Sequence, residues 1–104
     1  MITIKIVGQI KIEENIPEFM MVEKSKGDNV ADIISRMHEK YKIPRKKYSE
    51  NLKKYASPFT GLLVSKNEDV VGLFEAEGYD PRPDMDQTVK DEDRIFFVLP
   101  AAGG

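Results

Sequence analysis

The 104-residue sequence has no cysteine, no tryptophan and a single histidine, His38. Without cysteine there is no disulfide, no thiolate metal site, no iron–sulfur ligation and no cysteine nucleophile. A lone histidine near a helix end, with no second histidine beside it, reads as a half-exposed structural residue and not as a ligand. No metal site is expected. No apolar run reaches the roughly 18 residues that a membrane helix needs. The opening Met1-Ile2-Thr3-Ile4-Lys5 alternates, instead of running basic then apolar as a secretory leader does. Bias of charge is missing too. Sixteen Lys and Arg against eighteen Asp and Glu leave a net −2, which gives no global pull toward nucleic acid or membrane. The expected setting is the reducing cytoplasm.

What is present reads as one domain. A chain of this length has room for one modest core, and 40% hydrophobic beside 33% charged residues suits an ordinary globular protein. No repeat, low-complexity tract or linker divides it. Ile2, Ile4 and Ile6 alternate with Thr3, Lys5 and Val7, which predicts a half-buried strand over Ile2–Val7. A turn around Glu13–Pro17 leads to a second strand, Phe19–Glu23, antiparallel to the first. Asp28 or Asn29 can cap a helix, with Asp32 adding charge of the favourable sign in its first turn. Val30, Ile33, Ile34, Met37 and Tyr41 fall at helical spacing, so an amphipathic helix is expected to about Tyr41, closed off by Pro44.

The second half is more irregular. Arg45–Tyr55 is expected to be a second, more polar helix, because Tyr41, Tyr48 and Tyr55 recur at seven-residue spacing as one packed face. Lys40, Lys42, Arg45, Lys46, Lys47, Lys53 and Lys54 would then form its wet side. Tyrosines between lysines also suit stacked bases and phosphates, but the acidic total argues against nucleic acid. A docking surface for an acidic patch on a partner fits better. Gly61–Ser65 reads as a strand and Val70–Val71 as a short return. Gly72–Gln87, with Gly78, Pro81 and Pro83, reads as an acidic loop. The paired acids Asp84 and Asp86, or Asp91 and Asp93, lack the ordered spacing of a calcium loop and read as solvated surface. Asp91-Glu92-Asp93 turns into the last strand, Arg94–Leu99. One good helix covers one face of such a sheet, so the class is α+β.

The chain then runs Thr88-Val89-Lys90-Asp91-Glu92-Asp93-Arg94-Ile95-Phe96-Phe97-Val98-Leu99-Pro100-Ala101-Ala102-Gly103-Gly104. Glycine lacks a Cβ and accepts backbone angles closed to other residues, so this ending is thin enough to thread a narrow channel. Together with the opening strand, the capped Val30-Ala31-Asp32-Ile33-Ile34 helix and the strand Leu62–Ser65, it resembles the ubiquitin-like β-grasp sulfur carriers. These comprise the small subunit of molybdopterin synthase and its relative in thiamine biosynthesis. Their acidic turn, apolar last strand, proline and Gly-Gly ending all have counterparts here. Glu92 stands where the family often has glycine, and a single Pro100 where a proline pair is common.

The resemblance implies a β-grasp domain over 1–100, with a mixed sheet, one main helix on one face and an inserted second helical segment. The stretches of about 42–60 and 72–87 are insertions, and 101–104 is a flexible tail. It implies that the chain is a carrier and substrate, not an enzyme. The carboxylate of Gly104 would be adenylated by an ATP-dependent activating enzyme and converted to a thiocarboxylate. Ala101, Ala102 and Gly103 would thread the active site. ATP and magnesium would belong to that enzyme, with no cofactor bound by the chain itself. The sulfur would pass to a molybdopterin synthase large subunit or, alternatively, a thiazole synthase. A ubiquitin-like modifier, joined to lysines through Gly104, is a rival reading. In the last strand Ile95, Phe97 and Leu99 share one face, and Phe96 and Val98 the other. One of these sets lacks an obvious cover, which suggests a partner surface at Phe97, Leu99 and Pro100. No nucleic-acid or membrane partner is expected.

Overall fold

The computed structural model describes residues 1–7, 16–45, 47–50, 53–56, 58–74 and 86–99. The opening alternation forms β1 (Ile2–Val7), with Ile2, Ile4 and Ile6 buried and the intervening residues turned outward. β2 (Phe19–Val22) pairs antiparallel with it, Ile4 facing Met20 and Ile2 facing Val22. Helix α1 (Val30–Lys40) follows. Of the two candidate caps, Asn29 does the work: its side chain accepts from the Asp32 N–H at 2.8 Å, while Asp32 Oδ2 accepts from the Asn29 N–H at 3.0 Å. This reciprocal box satisfies two of the amides a helix start leaves open.

The helix stops before Pro44 is reached. Lys42 turns left-handed at φ 55°, its N–H bonds to the Glu39 carbonyl at 3.3 Å, and the Ile43 N–H bonds to the His38 carbonyl at 2.9 Å. That is a Schellman ending, with lysine where glycine is usual. Ile43 tucks into the core behind it.

The Arg45–Tyr55 expectation is corrected. Instead of a helix, the stretch forms an antiparallel hairpin, β3 (Lys47–Ser49) with β4 (Lys54–Ala56). Tyr48 and Tyr55 lie directly opposite each other in its register, so their seven-residue spacing is a cross-strand pairing. Lys53 at φ 57° is left-handed, a conformation that breaks an α-helix. Tyr48 is exposed and packs on no core. Only Tyr41 of the three tyrosine positions adjoins the core.

The remaining strands are β5 (Leu63–Lys66), β6 (Asp69–Leu73) and β7 (Arg94–Val98). The chain is α+β, with a five-stranded mixed sheet in the order β2-β1-β7-β5-β6 and α1 on one face. β7 runs parallel to β1 and antiparallel to β5. It therefore lies at the centre of the sheet. Val30, Ile33, Ile34 and Met37 from α1 meet Ile4, Met20, Val64, Ile95 and Phe97 in one buried cluster. Each such large aliphatic side chain removed from water contributes about 1.5–3 kcal/mol.

Candidate functional site

The last strand is anchored at its start by a knot of side chains. Asn67, left-handed at φ 57° in the β5–β6 turn, accepts from the Arg94 N–H at 3.0 Å and donates to Asp93 Oδ1 at 2.9 Å. Asp93 Oδ2 accepts from the Lys90 N–H at 2.8 Å, and the Asn67 N–H reaches the Arg94 carbonyl at 2.8 Å. Partial burial pushes the Asp93 carboxyl up. The Lys90 amide, the Asn67 amide and the nearby Lys66 and Lys90 charges outweigh that and hold it below the usual range. Asp93 is thus a structural brace and not loose acidic surface, whereas Asp86, Asp91 and Glu92 are exposed as expected.

A second knot fixes the approach to α1. Asp28 is buried, accepts from Arg36 Nη1 at 2.5 Å and from the Ser25 N–H at 2.7 Å. The Arg36 hydrogen bond, with that from Ser25, holds the Asp28 carboxyl below its ordinary value despite burial. The same Asp28 bond holds the Arg36 guanidinium above its own.

The two faces of β7 differ. Ile95 and Phe97 are fully buried toward the helix, and Phe96 and Val98 are half-buried on the opposite face. Phe97 stacks at 4.8 Å on Phe59 and at 5.3 Å on Phe74. Phe59 also meets the His38 ring edge-on at 5.7 Å. Phe97 is therefore a core residue, and the expectation that its side chain forms a partner surface is corrected. Helix and aromatic cluster supply the cover that the sequence did not reveal. Leu99, by contrast, is 61% exposed where the described chain leaves β7. Pro100, Ala101, Ala102, Gly103 and Gly104 lie outside the described residues, as do Lys46 and Asp84.

His38 is buried rather than half-exposed, with Nδ1 3.2 Å from the Ile43 carbonyl. Burial lowers its pKa below 6.5, the Ile43 contact opposes this, and the Arg45 charge adds to the lowering. No group of three or more His, Asp or Glu among the described residues is placed to hold a metal ion. No described helix is long and apolar enough to cross a membrane.

The sheet face turned away from α1 is more open. Phe19 and Met21 from β2, Val7 from β1 and Val70 from β6 are exposed, and the register sets Lys5 between Phe19 and Phe96 and Thr3 between Met21 and Arg94. The charges that this alternation puts on the face within the strands are Lys5 and Arg94, both positive. Phe59, Arg36 and Asn67 were not legible as important from sequence. A single apolar residue after Ser57-Pro58 has no periodicity, and long-range polar partners leave no local pattern. No protein-family model matches the chain, and neither does any curated protein or solved structure compared with it.

Proposed function

We propose that this chain is a ubiquitin-like carrier with a β-grasp fold. The 2-1-7-5-6 strand order, with β1 and β7 parallel at the centre and one helix across the sheet, supports that fold. More narrowly, it is a sulfur carrier of the cytoplasm serving molybdopterin synthesis, with Gly104 as the reacting residue. It acts as the small, non-catalytic component beside a molybdopterin synthase large subunit.

The observation that carries the reading is the route of the chain. A braced central strand leads through exposed Leu99 into Pro100-Ala101-Ala102-Gly103-Gly104. The chemistry acts on a free Gly104 carboxylate. Such a group is a poor electrophile, because charge and resonance oppose attack. One of its oxygens attacks the α-phosphorus of ATP, and pyrophosphate leaves. Sulfur from a donor then attacks the acyl carbon and AMP departs, leaving a thiocarboxylate. ATP and magnesium are held by the activating enzyme. The apolar sheet face with Lys5 and Arg94 fits a docking surface on that enzyme which is apolar and carries carboxylates. Thiamine-type transfer and protein modification through Gly104 are the rival uses of the same tail.

Incubation with the activating enzyme, ATP and a sulfur donor is expected to add about 16 Da to the intact mass, as one oxygen becomes sulfur. A Gly104→Ala chain is expected to show little or no shift. Absence of any shift in the wild-type chain refutes the carrier reading. Conjugates that survive denaturing purification would favour the modifier instead.

A further inference from the structure

β2 pairs with β1 on one side and is the last strand of the sheet on the other. An unpaired strand edge is a template on which another chain can add by backbone hydrogen bonding. The register tells which groups point outward. The Ile6 N–H bonds to the Glu18 carbonyl at 2.8 Å, and antiparallel pairs alternate between bonded and non-bonded. Ile4–Met20 and Ile2–Val22 are therefore bonded pairs, while Met21, opposite Thr3, presents its N–H and C=O to the outside.

Those outward groups are met by side chains of α1 and its cap. The Met21 N–H donates to Tyr41 Oη at 2.9 Å. The Met21 carbonyl accepts from Lys40 Nζ at 2.6 Å, and from Tyr41 Oη at a longer 3.4 Å. One residue past the strand, the Glu23 carbonyl accepts from Arg36 Nη1 at 2.8 Å. Lys40 sits 5.6 Å over the Tyr41 ring, so the two side chains brace each other. Arg36 is held by Asp28 at the same time.

We propose that Arg36, Lys40 and Tyr41 form a latch that closes the β2 edge against strand addition by a second copy of this chain. The latch is independent of the carrier reading. It uses three polar side chains, spaced along one side of the helix, to satisfy the outward backbone groups at 21 and 23. Strand addition would have to break these bonds first. The wild-type chain accordingly stays monomeric through this edge.

The test compares wild type with Lys40→Ala/Tyr41→Phe, leaving Arg36 in place because it also holds Asp28. Amide exchange at Met21, read by NMR, is expected to be about fivefold or more faster in the variant at low concentration. The inward amides of Met20 and Val22 serve as the control for global stability. As concentration rises, the variant is expected to associate in sedimentation, with protection returning at Met21. Wild type shows neither change. The proposal is overturned if Met21 exchange is unaltered in the variant, or if Met20 and Val22 accelerate equally. It is also overturned if the variant stays monomeric at about millimolar concentration, or if wild type itself associates through β2.

Discussion

Phe59 is the residue whose loss should cost most for its apparent insignificance in the sequence. It precedes β5, is fully buried, and its ring lies 4.8 Å from Phe97, 5.7 Å from Phe74 and 5.7 Å from His38. Truncating such a side chain removes its transfer free energy and leaves a cavity that a sheet on one side and a helix end on the other cannot close. Phe59→Ala is expected to cost about 3–5 kcal/mol. A domain of this size holds about 5–15 kcal/mol in all, so the variant should still fold but with little reserve. Phe59→Leu keeps most of the volume and loses the ring contacts, at about 1–2 kcal/mol.

Urea unfolding reads both. With a slope of about 1–3 kcal/mol per molar, the alanine variant's midpoint should fall by about 2–3 M. A second reading comes from His38, whose pKa is lowered mainly by burial. Water entering the vacated space should let it rise back toward 6.5 in the alanine variant, as followed by NMR titration. A loss under about 1 kcal/mol with the slope unchanged would refute the view that this cluster is rigid. So would an unmoved His38 titration alongside a large loss, because burial by Phe59 could not then be its cause.

Asp28→Asn should cost about 1–2 kcal/mol, the low side of a charge-assisted bond because the Arg36 guanidinium is partly open to solvent. The folded carboxyl is held below its ordinary 3.8. Its contribution is therefore complete above that value and lost as pH falls through the lower folded one, and an acid titration of stability should be flatter in the variant. His38 acts in a higher window. Its folded pKa lies below 6.5, so the unfolded chain binds the proton first and stability should decline as pH drops from about 6.5. His38→Leu should remove that slope in urea melts at pH 7 and pH 5.5. At Asn67, glycine keeps the left-handed backbone and loses the side-chain bonds, while alanine loses both. The two melting curves should differ by about 1 kcal/mol, the strain of φ 57°.

The alternating and helical patterns were legible because they are local. Ile2, Ile4 and Ile6 declare a strand, and Val30, Ile33, Ile34 and Met37 declare a helix, whatever else the chain does. Tyr41, Tyr48 and Tyr55 misled because seven residues suits two helical turns and also the distance around a tight hairpin. Lys53, lysine in a left-handed turn, carried no warning, since glycine or asparagine is the usual marker there. The burial of Phe97 was hidden for a different reason. Alternation sorts β7 into two faces but does not say which one the helix covers; contacts with Phe59 and Phe74, far off in sequence, decide that.

The position of β7 bears on what the chain can do with its ending. A tail carried by an edge strand could peel away, with that strand's hydrogen bonds breaking one after another. β7 is bonded on both sides, to β1 and β5, and its first residues are tied to the β5–β6 turn through Asn67 and Asp93. Force or distortion applied beyond Leu99 therefore meets a strand that can yield only if the core around Ile95 and Phe97 yields too. On the carrier reading this separates two requirements: a body that does not deform when gripped, and an ending of small residues that does. Replacing Asn67 by alanine weakens the first and leaves the second intact. Its effect on transfer should therefore follow the loss of stability, whereas changes at Gly103 and Gly104 should act with stability unchanged.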